Sequence, residues 1–176
     1  MLATKIVKRQ STAAILAKSL TRRDFQPKLQ SENKDVRLAH MVVNKEAEKP
    51  MIVLHGLLGS KVNWRTLCTI EGISRHRKCF LVEQRNHSKS DHHAEHNYEV
   101  LSDDIIRFAD EQKFEKFTIM GHSMGARAAM TTAGRFPDRI DGVISVDAAP
   151  KNERDLHAFG SFAERVIDFM CEIEAK

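Results

Sequence analysis

The chain has 176 residues, 41% hydrophobic and 30% charged, enough for one soluble domain with its own core. No apolar run approaches the roughly 18 residues that a membrane-spanning helix needs. The formal charge of +4 is local: removing the six cations of residues 1–23 leaves 22 basic against 24 acidic residues, so charge gives no case for a nucleic-acid partner.

Residues 1–23, with Lys5, Lys8, Arg9, Lys18, Arg22 and Arg23 and no acid, are rich in Ser and Thr. Their apolar residues suit one helix face, the composition of a mitochondrial transit peptide. The expected location is the mitochondrial matrix, or the cytoplasm if this stretch is only a basic tail. Residues 24–35 are polar and read as a linker. Cys68, Cys79 and Cys171 form no spaced motif and suit a reduced compartment as small buried hydrophobes.

From Val36 the pattern becomes that of a folded domain, expected over residues 36–150. Val36, Leu38 and His40 alternate before Met41-Val42-Val43, an edge strand or hairpin. Met51-Ile52-Val53-Leu54 is continuously apolar, as a central parallel strand covered on both faces requires. It runs into His55-Gly56-Leu57-Leu58-Gly59, where glycines let a backbone N–H face a neighbouring site. Asn63 to Ile70 reads as a helix with Trp64 and Leu67 on one face. Cys79 to Val82 is the next buried strand.

The loop that follows holds His87, His92, His93 and His96. Zinc is one thought for such a loop, but the ligands lie on one flexible segment with no second cluster, so a solvated loop is expected. Asn97 caps the next helix, whose Leu101, Ile105 and Phe108 share a face.

Lys116 to Pro150 carries the chemistry. Phe117, Ile119 and Met120 form a strand ending at Gly121, and Gly121-His122-Ser123-Met124-Gly125 fits G-x-S-x-G. Ala126, Ala128 and Ala129 continue as a helix. A serine between strand and helix must take strained angles so that its Oγ stands clear, and its neighbours two positions away must be nearly bare. An ordinary N-cap serine in a glycine-bounded turn is the competing reading. Val143 to Val146 is a further strand, leading to Asp147. His55, Ser123 and Asp147 all follow strand ends, which puts them on one rim of a parallel sheet. From Leu156 the spacing of Phe159, Phe162, Val166 and Phe169 is helical.

With these residues in view, the chain resembles the α/β-hydrolases, in particular a mitochondrial group and its bacterial short-chain esterase relatives. The resemblance spans Val36 to Lys176 and rests on VLHGLLGS, EQRNHSKS, YEVLSDDIIRF, GHSMGARAAM and FPDRIDGVISVDAAP. Ser88 stands where the family has glycine. The resemblance implies an α/β-hydrolase fold, a mostly parallel sheet with helices on both faces, and serine hydrolysis of a small ester or thioester. Ser123 would be the nucleophile, the Leu57 and Met124 amides the oxyanion hole, and Asp147 the acid. His55, Gly56, Gly121, His122 and Gly125 would line the site. No cofactor or metal is implied, and protein partners are not indicated.

The family's base follows its last strand, which this sequence does not reach. The later His157 falls in residues 151–176, which resemble the start of a helical cap. The expectation is therefore a sheet truncated before the last strands, with Val143–Val146 as an apolar edge. The chain would then be an incomplete esterase, lipase or thioesterase, or alternatively a catalytically impaired form acting by binding.

Overall fold

The computed structural model describes residues 36–149. The leader, the linker, the cap and His157 lie outside the described residues. Five strands form one sheet: β1 (His40–Val43), β2 (Pro50–Leu54), β3 (Lys78–Val82), β4 (Phe117–His122) and β5 (Ile140–Val146). Their order is β1-β3-β2-β4-β5, with β1 antiparallel to β3 and every other pair parallel. β2 is thus the central strand.

The apolar runs are continuous because both faces are covered. Along β2, Ile52 and Leu54 enter one core while Met51 and Val53 enter the other. Phe80 and Val82 of β3 join the first core, and Cys79 and Leu81 the second. This period of two is the pleat itself.

The first core is closed by α3 (Tyr98–Glu111) and α4 (Met124–Arg135). Leu101, Ile105 and Phe108 of α3 pack with Ala128 and Ala129 of α4 on the sheet. Asn97 caps α3 by accepting the Val100 N–H at 2.9 Å.

The second face is covered by a short 3-10 helix (Lys61–Trp64), α1 (Arg65–Thr69) and α2 (Glu71–Ser74). A helix from Asn63 to Ile70 was expected here; the helical run does end at Thr69, but its first turn is 3-10 and the further turn α2 was not foreseen. Ile70 is extended (φ −62°, ψ 136°) and separates α1 from α2. The Thr69 hydroxyl also donates to the Thr66 carbonyl at 2.9 Å, offering that backbone a local alternative to a longer helix. Inward packing falls to Trp64 and Cys68, while Leu67 is 36% exposed.

β5 holds the Val143–Val146 run that was expected to form an apolar edge. In the described sheet it pairs on one side only, with β4, and Val143 and Ile144 are exposed. Behind β3, the buried Arg85 guanidinium grips Asp104 of α3 with two bonds of 2.6 and 2.8 Å. Its third bond, to the Glu95 carbonyl at 2.7 Å, ties the histidine-rich loop to the same helix.

Candidate active site

Ser123 joins β4 to α4 at φ 49° and ψ −110°, outside the regions an L-residue favours. Two bonds hold it there. Its N–H donates to the Val146 carbonyl at 3.0 Å, and its carbonyl accepts the Arg127 N–H at 3.1 Å. The flanking glycines are required by contact. A Cβ on Gly121 would lie 2.3 Å from the Gly125 backbone, and one on Gly125 would lie 2.6 Å from the His55 carbonyl oxygen. The turn therefore closes only with bare residues at both positions, against the end of β2.

The His55–Gly59 loop is pressed onto this turn. A Cβ on Gly56 would stand 2.7 Å from His122 Nδ1 and 3.5 Å from Ser123 Cβ. Gly59 N–H donates to the Gly56 carbonyl at 3.0 Å, making a tight turn in which Leu58 takes φ 59°. Leu57 is partly buried and Met124 is buried. The Met124 amide belongs to the first turn of α4, where N–H groups have no intrahelical acceptor.

His55 is the floor of the loop. Its Nδ1–H donates to the Gly56 carbonyl at 2.8 Å, and its Nε2 accepts the Gln84 N–H at 3.1 Å. Burial is the main reason its pKa is pushed down to about 4, so the ring is neutral and both nitrogens are committed. His122 is different: its side chain is 43% exposed. With Leu57, Leu58, Asn63 and Trp64 it lines a cavity of about 380 Å³. Trp64 is fixed by donating Nε1–H to the Leu54 carbonyl at 3.0 Å.

Asp147 follows β5 on the same rim at φ 52°. Its side chain is 86% exposed, and Oδ2 lies 3.7 Å from His122 Nε2, too far for a hydrogen bond. The structure thus brings Ser123, His122, Gly56 and Leu57 together and leaves Asp147 at the solvent margin.

Three residues around the loop were not singled out by the sequence. Lys61 Nζ pairs with the buried Glu83 carboxylate at 2.6 Å, tying the 3-10 helix to the end of β3. His87, expected in a solvated loop, is 8% exposed, and its ring centroid is 4.7 Å from that of His55. The available signal was its place directly after a buried strand, within Arg85-Asn86-His87. Asn86 and Ser88 both take positive φ, which turns the ring inward between them.

A family model described as alpha/beta hydrolase fold matches residues 49–168. The chain belongs to the α/β-hydrolase family. This α/β-hydrolase is 34% identical over 136 residues to the Abhydrolase domain-containing protein C22H12.03 of Schizosaccharomyces pombe, covering 76% of this chain and 50% of that protein. It is 32% identical over 111 residues to Ethanol acetyltransferase 1 of Kluyveromyces lactis, covering 63% of this chain and 30% of that protein. Among solved structures, a marine microorganism esterase superposes with a TM-score of 0.62 at 33% identity, covering 66% of this chain and 43% of that one. The chain spans half or less of the length of each of these relatives.

Proposed function

We propose that this α/β-hydrolase cleaves carboxylic ester or thioester bonds with Ser123 as nucleophile. The observation that carries the reading is the backbone of Ser123, held at φ 49° between glycines that admit no Cβ. Strain of this kind persists only where the surroundings over-determine it, and it clusters at reactive sites. In this reading Ser123 Oγ attacks the acyl carbonyl, and the Leu57 and Met124 amides stabilise the oxyanion that forms. The acyl-enzyme is then released by water. Asp147 is the residue we assign to orient the base.

The base itself we place outside residues 36–149. Of the two imidazoles beside the turn, His55 has both nitrogens committed, and His122 directly precedes the serine and faces Asp147. Within the family, the motif strings resemble those of mitochondrial α/β-hydrolase-domain-containing protein 11 and bacterial short-chain esterases, which supports a small acyl substrate. The likeness to an ethanol acetyltransferase supports a second reading, in which an alcohol replaces water as acyl acceptor.

The test is labelling of the purified chain with a fluorophosphonate probe, beside Ser123→Ala. Labelling of the wild type that the substitution abolishes is the expected result. A folded wild-type chain that takes no label would overturn it, and a catalytically impaired binding role would replace it. Ester turnover with added ethanol, analysed for ethyl ester against free acid, separates transfer from hydrolysis.

A further inference from the structure

Leu58 is a β-carbon-bearing residue in the left-handed region, a conformation an L-residue disfavours. It directly follows Leu57, whose amide the proposed function places in the oxyanion hole, so whatever holds Leu58 also aims that amide. Two bonds are available. One is the turn bond from Gly59 N–H to the Gly56 carbonyl. The other comes from outside the loop: Leu58 N–H donates to His87 Nε2 at 3.3 Å.

An imidazole nitrogen accepts only when it carries no proton, and the partner of the other nitrogen sets which one that is. His87 Nδ1 lies 2.9 Å from the Arg85 carbonyl, which can only accept. Nδ1 therefore carries the hydrogen and Nε2 is the free acceptor. The Arg85 that supplies this carbonyl is itself immobilised by Asp104 and by the Glu95 carbonyl. A chain of contacts thus runs from α3 through Arg85 and His87 to the strained residue of the loop.

We propose that His87 is a positioning residue for the Leu57 amide, holding the His55–Gly59 loop in its strained form by accepting the Leu58 N–H. This rests on the reading of Ser123 as nucleophile. His87 touches neither Ser123 nor the acyl group in this assignment. Its effect falls on the maximal rate of attack, because an oxyanion donor acts on charge that develops only in the transition state.

The experiment uses the full chain as wild type, His87→Phe and His87→Gln. Gln keeps an oxygen acceptor near the place of Nε2, whereas Phe keeps the shape without one. Hydrogen exchange at the Leu58 amide should accelerate at least tenfold in His87→Phe and stay within about threefold of wild type in His87→Gln. The Val100 amide, capped by Asn97, reports whether the fold is intact. The maximal rate of Ser123 phosphonylation should fall at least tenfold in His87→Phe with half-saturation unchanged, and recover in His87→Gln.

Equal Leu58 exchange in all three proteins overturns the proposal, and so does faster exchange with an unchanged maximal rate. Nitrogen-15 spectra of the wild type need no variant. They should show the Nδ1–H tautomer with Nε2 coupled to the Leu58 amide, and an Nε2–H tautomer overturns the proposal. An exchange difference in a chain whose Ser123 takes no label overturns the nucleophile reading instead. The catalytic part of the proposal then goes with it, while the loop contact stands.

Discussion

Left-handed backbone angles at residues with side chains recur around the candidate site: Leu58 at 59°, Ser88 and Ser123 at 49°, and Asp147 at 52°. Ser88 offers the cleanest measurement among them, because its positive φ favours glycine and its hydroxyl is small. Its hydroxyl helps hold the Glu83 carboxylate, so two effects oppose each other at one position. Ser88→Gly loses the hydroxyl and relieves the backbone, while Ser88→Ala loses the hydroxyl and keeps the strain. The glycine variant should therefore be the more stable of the two by about 1 kcal/mol, read from urea midpoints at equal slope. At this scale the sequence was legible where a residue type is forced by contact. Gly121 and Gly125 were readable from spacing because no Cβ fits. His87 was not, because burial of one imidazole depends on the three-dimensional course of the turn at Asn86 and Ser88; asparagine tolerates positive φ, but that alone does not say which way the intervening ring points.

Elements here are joined by a few buried charges as much as by apolar contact. The Lys61–Glu83 pair fastens the 3-10 helix to the end of β3, with side-chain exposures of 17% and 2%. Burial alone would push the Glu83 carboxyl up. Lys61, the Lys89 amide and the Ser88 hydroxyl outweigh it and hold the group below its ordinary value of 4.5. A depressed carboxyl contributes stability that is present above its unfolded pKa and is lost as pH falls through the folded value. The melting temperature should accordingly hold above pH 4.5 and decline below it. Lys61→Met removes the partner and leaves a buried charge, which costs roughly 3–5 kcal/mol at neutral pH. In that variant Glu83 takes up its proton at higher pH, so thermal melts across a pH series should show the decline begin earlier. Adding Glu83→Gln should recover part of the loss; no recovery would mean the pair is not what joins the two elements. α3 and the β-strands were legible as elements because their periodicity is strong. In the 61–74 segment the helix end near Ile70 was legible, but the opening 3-10 turn and the short α2 were not, since they leave no mark in hydrophobic spacing.

For the molecule as a whole, the parallel order and the rim that gathers His55, Ser123 and Asp147 followed from strand–helix alternation. The standing of β5 did not follow from its apolar run alone. The resemblance placed Val143–Val146 at an apolar edge, and there Val143 and Ile144 are exposed at 38% and 45%, with β5 the edge of the described sheet. An apolar, singly paired strand is a template for pairing between chains. Replacing both residues by threonine should lower light scattering of the concentrated chain while shifting stability by about 0.5 kcal/mol or less. A larger loss of stability would show that the two side chains are packed in solution.

The strand order also sets a sequence in time. β2 is the middle of the sheet, yet its register joins Ile52 both to Phe80 and, much further along the chain, to Ile119. Loop closure of that length is entropically slow, so β1, β2 and β3 can assemble before β4 arrives. Gly125 seats against Leu54 and the His55 carbonyl, surfaces that exist only once β2 is in place. The serine turn is therefore a late product of folding. Under the proposed role of Ser123, an emerging chain keeps it in relaxed backbone until the sheet behind it is built, and its labelling becomes a report that the domain has closed.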